Sequence, residues 1–283
     1  MMDWSAQNPS RFAGASDELA IWEVGSGRPV LLVHGFPDHP IGLEPLAKAL
    51  AETGHRCIVP ALPGYFPSSP LEHGDYTSDR VGQALIGLLD DLRIDRVAYI
   101  GHDWGAEIGF PLVAANPVRF VTMISLATPH PSGYAIRREA FDDLRSAWYA
   151  LFLAYVSGAP AVARDERWLT ALANSWSPSL RIPRWPDIVE TLQRPGVMEA
   201  VCRYYRINLD GPPRELLVDV PAAIIYGGQD GCIRPAAHVD FSRYFKRGYV
   251  SRFLPSVGHW PHLEDPDATL SAITEALTNA ASW

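Results

Sequence analysis

Cysteine is scarce in this chain of 283 residues. The three present, Cys57, Cys202 and Cys232, are far apart and odd in number. That argues against a disulfide framework or a zinc site and suits reduced thiols in a cytoplasm. Basic residues are outnumbered, with 24 Lys and Arg against 32 Asp and Glu, for a net charge of −8. A surface of that sign repels phosphates, so nucleic acid is not expected as a partner. Long apolar runs are also missing. The opening MMDWSAQNPSRFAG has no signal-peptide core and no stretch reaches bilayer-spanning length, so no membrane partner is expected. Low-complexity tracts and internal repeats are absent as well. A hydrophobic fraction of 47% is nonetheless ample for one large core or a core with an inserted subdomain.

What is present has a rhythm. ELAIWEV (18–24) and PVLLVHG (29–35) read as strands separated by the turn GSGR. IGLEPLAKALAETG (41–54) has helical apolar spacing, HRCIVPAL (55–62) is a strand, and residues 77–94 form an amphipathic helix. RVAYIG, WGAEIGFPLVAANP and FVTMISLAT follow as strand, helix and strand. Strands this apolar, alternating with helices, predict a mostly parallel sheet covered on both faces. Residues 130–216 break the rhythm with several helix-like, proline-rich segments and no convincing strand. It then resumes with VPAAIIYGG (220–228), a helix over 234–245, YVSRFLP (249–255) and a last helix near 267–277. The expected division is an α/β core of residues 1–129 and 217–283, with 130–216 as an inserted helical cap. The cap is rich in aromatics, among them Trp148, Tyr149, Trp168, Trp176, Trp185, Tyr204 and Tyr205. Those that face a cleft would suit an apolar ligand.

Four short stretches carry the chemistry. GHDWGA (101–106) has the spacing of a strand–turn–helix elbow that presents a nucleophile, with Asp103 where serine usually stands. The plainer alternative is that Asp103 caps the helix that follows. HGFPDHP (34–40) follows a strand, and its Phe36 N–H can converge with that of Trp104 into an oxyanion hole, with His34 and Pro37 shaping the loop. In YGGQDGC (226–232), Asp230 lies just past a strand end, and in SVGHWPHLEDP (256–266), His259 follows the last strand. The order nucleophile, acid, base (Asp103, Asp230, His259) completes a catalytic set.

With these motifs the chain resembles α/β-hydrolases of the epoxide hydrolase and haloalkane dehalogenase branch, over essentially its whole length. HGFP is similar to the HGxP element of epoxide hydrolases, GHDWGA to their nucleophile motif and GHW to their histidine segment. The resemblance implies an α/β-hydrolase fold with a mostly parallel eight-stranded sheet, flanking helices and a helical lid. It also implies two lid tyrosines that protonate the opening ring. RYYRINLD (203–210) resembles the segment of the second, at Tyr205, and SAWYALF (146–152) that of the first, at Tyr149. Adjacent helical residues point about 100° apart, so only one of Tyr204 and Tyr205 faces the cleft easily. Phe36, Trp104, Trp148 and Tyr204 are the candidate substrate-binding side chains.

A carboxylate nucleophile suits a substrate with a leaving group on saturated carbon rather than a carbonyl. The reading is therefore an epoxide hydrolase of the cytoplasm, acting on a small-molecule apolar epoxide with water, through an ester on Asp103 that His259-activated water cleaves. No cofactor and no metal are implied, and a homodimer is left open. Two alternatives stand beside it. A haloalkane or haloacid dehalogenase would use the same nucleophile, with Trp104 and a lid tryptophan holding the halide. A small anionic substrate fits poorly, because the positions where fluoroacetate dehalogenases carry arginines are here Trp104 and Glu107. A non-catalytic ligand-binding protein is the third reading, since a fold alone does not dictate activity.

Overall fold

The computed structural model describes residues 4–5, 8–13, 17–132, 141–178, 180–209 and 215–280. In chain order the described elements begin β1 (Arg11–Ala13), β2 (Leu19–Gly25), β3 (Arg28–Val33), α1 (Glu44–Glu52) and β4 (His55–Pro60). They continue α2 (Ser78–Asp91), β5 (Val97–His102), α3 (Trp104–Ala115) and β6 (Phe120–Leu126). Helices alone follow up to the next strand: α4 (Phe141–Ser146), α5 (Trp148–Tyr155), α6 (Ala159–Ala163), α7 (Glu166–Trp176), α8 (Trp185–Leu192) and α9 (Val197–Leu209). The chain closes with β7 (Ala222–Gly227), β8 (Tyr249–Leu254), α10 (Pro261–Glu264) and α11 (Pro266–Asn279). Within the stretch expected to form the cap, residues 133–140, 179 and 210–214 lie outside the described residues.

The eight strands form one sheet in the order β1-β2-β4-β3-β5-β6-β7-β8. Pairing is antiparallel only at the β1–β2 and β2–β4 steps and parallel from β4 to β8. Every residue of β5 and of β6 is buried, as expected of central strands covered on both faces. Helices supply that cover: α2 packs on α3, which lies against β5 and β6, while α1 lies against β2 and β4 and α11 against β6 and β7. No helix among the described residues is long and apolar enough to cross a membrane.

One expectation needs correcting. The segment 234–245 is not a helix but two short 3-10 turns, Pro235–Ala237 and Ser242–Tyr244. Side chains take the backbone donors a helix would have used: Asp240 accepts from the Ser242 N–H and the Tyr249 hydroxyl from that of Phe241. His238 leaves helical geometry and stacks on Tyr226, with ring centroids 3.8 Å apart. β1 gave no sequence signal, because three residues are too few to show alternation.

The tightest packing lies where β5 turns into α3. A Cβ on Gly101 would stand 2.5 Å from the Gly105 carbonyl carbon, and one on Gly105 would stand 2.1 Å from the Val33 carbonyl oxygen. Both approaches are to backbone, which cannot swing away. Tyr99 fixes the same corner by donating to the Gly105 carbonyl at 2.5 Å. Gly105→Ala is therefore expected to lower stability by about 1–3 kcal/mol, the usual range for overpacking. Urea unfolding measures this, and an unchanged midpoint would show that the corner yields.

Candidate active site

Four loops reach one place because each leaves the carboxyl end of a strand in the parallel part of the sheet. These are the loop after β3, the turn after β5 and the segments following β7 and β8. Asp103 stands at the second, between β5 and α3, with φ 51° and ψ −118°. A non-glycine residue in the left-handed half of conformational space is strained, and such strain gathers at functional sites. Several contacts hold it there. Its N–H donates to Leu126 O, its carbonyl accepts from the N–H groups of Ala106 and Glu107, and Thr128 Oγ1 donates to the same carbonyl. Its side chain makes no capping hydrogen bond to α3, so the plain helix-cap alternative fails.

The carboxylate points instead toward the β3 loop and the imidazole. Phe36 N–H donates to Asp103 Oδ1 at 2.8 Å, and His259 Nε2 stands 3.5 Å from Oδ2. Gly35 makes this approach possible, since a Cβ there would meet Asp103 Oδ1 at 2.4 Å. His34 is buried and orders the loop. Its Nε2 accepts from Leu62 N–H at 3.0 Å, which leaves Nδ1–H to donate to Gly35 O at 2.9 Å. The Phe36–Pro37 peptide is cis.

On the other side, His259 Nδ1 donates to Asp230 Oδ2 at 2.9 Å. Asp230 is fixed in turn, its Oδ1 accepting from the N–H groups of Cys232 and Ile233 at 2.7 and 2.9 Å. Asp103, Asp230 and His259 are all buried, and His259 Nε2 makes no hydrogen bond. Burial by itself opposes ionisation of Asp103, but the His259 imidazole beside it outweighs that and holds the carboxyl below the usual range. Burial likewise opposes protonation of His259, yet Asp230, the Cys232 sulfur and Asp103 together raise it well above an ordinary histidine.

Of the aromatic candidates, the structure gathers Phe36, Trp104, Tyr149 and Tyr205. The Tyr205 ring meets those of Trp104, Tyr149 and Phe36 edge-on, with centroids 5.0, 5.8 and 5.9 Å away. The Tyr205 hydroxyl is buried without a hydrogen-bond partner, and burial raises its pKa well above that of a free phenol. The Tyr149 hydroxyl lies 3.1 Å from Cys232 Sγ. Two candidates are not brought in as expected. Tyr204 is a helix anchor: its hydroxyl donates to Pro63 O at 3.0 Å and its ring packs on Tyr65 and Tyr76. One residue along α9, Tyr205 turns the other way, as the 100° step requires. Trp148 is 49% exposed and sits against Phe152 and Trp168, because its helical neighbour Tyr149 takes the inward direction.

Sequence reading missed several residues. Trp176 is buried, with its ring 5.0 Å from that of His259 and 4.6 Å from that of Tyr149. Nothing distinguished it from the other aromatics of the helical stretch. Ser177 Oγ accepts the His259 N–H at 2.7 Å and donates to Glu264 Oε1 at 2.7 Å. Glu264 also accepts from the N–H groups of Gly258 and Trp260, so it grips the loop on both sides of the histidine. Asp38, directly after Pro37, is fully buried, and burial first of all raises its carboxyl to about 7. Its place in the HGFPD run was the one available signal.

The chain belongs to the alpha/beta hydrolase family, whose model matches residues 30–272. It is 27% identical over 261 residues to the AB hydrolase superfamily protein YfhM of Bacillus subtilis, covering 88% of this chain and 90% of that protein. It is 38% identical over 112 residues to an epoxide hydrolase of Caballeronia sordidicola, covering 39% of this chain and 34% of that one. Among solved structures, an epoxide hydrolase from hot-environment metagenomes superposes with a TM-score of 0.83. That match is 22% identical and covers 94% of this chain and 97% of the other, a likeness of fold. Family and relatives together support a hydrolase.

Two predictions come from the site's hydrogen bonding and burial. Ser177→Ala leaves the buried His259 N–H without its acceptor and is expected to cost about 1–3 kcal/mol. Thermal or urea unfolding beside the parent protein reads this, and equal stability would show that another acceptor takes over. Burial lowers the pKa of His34 to about 4 and those of His39 and His102 to about 3. Each is neutral in the fold but protonates near the ordinary histidine value of 6.5 when unfolded, so the unfolded chain binds more protons below that pH. Their contribution is fully present above pH ~6.5 and is lost as pH falls toward 4. The urea midpoint should drop across that window, and a flat profile would contradict the buried neutral state.

Proposed function

We propose that this protein hydrolyses an apolar epoxide to a vicinal diol through an ester on Asp103, with residues 130–216 acting as a cap over the site. The observation that carries this reading is the Tyr205 hydroxyl, buried and unpartnered, next to Tyr149 in the same aromatic cluster. Opening an epoxide creates an alkoxide that needs a proton, whereas a departing halide does not. A pair of buried phenols is thus worth more to ring opening than to dehalogenation.

In the first half-reaction one Asp103 oxygen attacks a ring carbon as that carbon's bond to oxygen breaks. Oδ1 is engaged by Phe36 N–H, which leaves Oδ2 for the attack. The alkoxide takes the phenolic proton of Tyr205 or Tyr149, giving a hydroxy-ester and a tyrosinate. Forming the ester erases the negative charge on Asp103, one of the influences that raise His259. The imidazole then releases its proton to solvent and becomes available as a base, and it takes a proton back from solvent once the Asp103 carboxylate is restored.

In the second half-reaction His259 Nε2 removes a proton from water and the hydroxide adds to Asp103 Cγ. The N–H groups of Phe36 and Trp104 would stabilise the resulting oxyanion. Collapse breaks the ester bond, and the diol oxygen takes the proton from His259. The proton left on the Asp103 carboxyl returns to the tyrosinate, so epoxide and water have become diol. Asp230 keeps the His259 ring oriented throughout. The free state of Cys57, Cys202 and Cys232 is in keeping with work in the cytoplasm.

Asp103→Ala should abolish turnover of aryl and alkyl epoxides. His259→Gln should open the ring but stall, and intact-protein mass spectrometry should then find an adduct on Asp103 equal to the substrate mass. Release of bromide from a brominated alkane panel without any epoxide turnover would overturn the reading. Tyr149→Phe with Tyr205→Phe is expected to slow epoxide opening by about 10²–10⁴, the usual worth of a positioned general acid. Full activity in the double variant would remove the tyrosines from the mechanism.

A further inference from the structure

We propose that Asp103, Cys232 and His259 form a site for a thiophilic divalent cation, Zn2+ above all, whose binding shuts the centre down. The site goes beyond the hydrolytic reading and stands on geometry alone. A carboxylate oxygen of Asp103, Cys232 Sγ and a ring nitrogen of His259 all lie within 4.8 Å of one another, and all three residues are buried. His259 Nε2 is buried without a hydrogen-bond partner, 3.5 Å from Asp103 Oδ2, and can ligate without breaking the Nδ1 bond to Asp230. That second bond is what a metal-bound imidazole ordinarily has, since a carboxylate on the other nitrogen fixes the ring.

One sulfur, one imidazole nitrogen and one carboxylate oxygen make a donor set that Zn2+ accepts at about 2.0–2.3 Å, with a fourth position left for water. Drawing atoms at most 4.8 Å apart onto such an ion asks for a closure of roughly 1 Å. Charge also balances. As the ion binds, the imidazolium gives up its Nε2 proton and the Cys232 S–H bond ionises, both protons leaving to solvent. Thiolate and carboxylate then neutralise the cation's two positive charges, so the ion brings no net charge into the buried site. The sulfur selects Zn2+ and similar ions over Mg2+ and Ca2+, which take oxygen ligands. Spacing rules for zinc sites do not find this trio, because its members stand at residues 103, 232 and 259 and meet only in the fold.

Asp38, His102 and His262 form a second buried trio of similar spread. It has no sulfur, and that difference makes the test decisive. Co2+ is the probe, because a sulfur-to-cobalt charge-transfer absorption arises only when a thiolate is bound. Titrating the full chain with Co2+ should produce that band, saturating at one ion per protein, and Zn2+ should displace it. The band should vanish in Cys232→Ser and persist in His262→Ala, with circular dichroism checking that each variant folds. By calorimetry, Zn2+ affinity should fall in Cys232→Ser by more than the ~10–100-fold that loss of a mere outer-shell partner costs. His259→Ala, which keeps the thiol, should weaken the ion as well. Cobalt binding without the band, or a band that survives in Cys232→Ser, overturns the proposal. None of these measurements uses an epoxide, so failure of the hydrolytic reading and failure of this one are told apart directly.

Discussion

The left-handed backbone of Asp103 is the constraint on which the site depends. Holding a non-glycine residue there costs on the order of 1–3 kcal/mol, and only an over-determined surrounding makes it persist. The surroundings provide that. β5 delivers the residue from a fully buried strand, α3 removes the chain at once, and Gly101 and Gly105 allow the two to nearly touch. Everything else in the centre is arranged around the carboxylate this turn holds up: Phe36 N–H on one oxygen, the imidazole on the other.

Burial then decides the electrostatics. In a dry setting a lone carboxylate would rather be neutral, and a lone imidazole would too. Here each keeps the other charged, with Asp230 bracing the histidine from behind. Other buried histidines nearby have no such partner, and His34 and His102 stay neutral as hydrogen-bonding struts to backbone carbonyls. The same side chain therefore does opposite electrical work within a few ångströms. What differs is whether a carboxylate stands at hydrogen-bonding distance.

Much of this was legible in the sequence, for physical reasons that differ by element. The parallel strands announce themselves because both faces are covered and their residues are uniformly apolar. Asp103, Asp230 and His259 were readable because strand ends put them on one edge, and chain order alone then matched them. Tyr205 was separable from Tyr204 as soon as helix geometry allowed only one to face inward, though the sequence did not say which. Trp148 was misassigned because adjacent aromatics on a helix look alike until packing shows which one points in. The helix expected over 234–245 failed because Asp240 and Tyr249 compete for its backbone donors, and that competition is tertiary. Ser177, Glu264 and Cys232 left no local mark, since their importance lies in partners 82, 6 and 83 residues away.

The bond from Ser177 to the His259 backbone has a mechanical corollary. Ser177 is the residue on which α7 ends, so the helical layer and the imidazole loop are riveted together through it and Glu264. A bulky guest that prised the layer open along this seam would drag the histidine out of line with Asp230. The seam is thus the edge of the layer that has to stay closed for His259 to keep its hydrogen bond to Asp230.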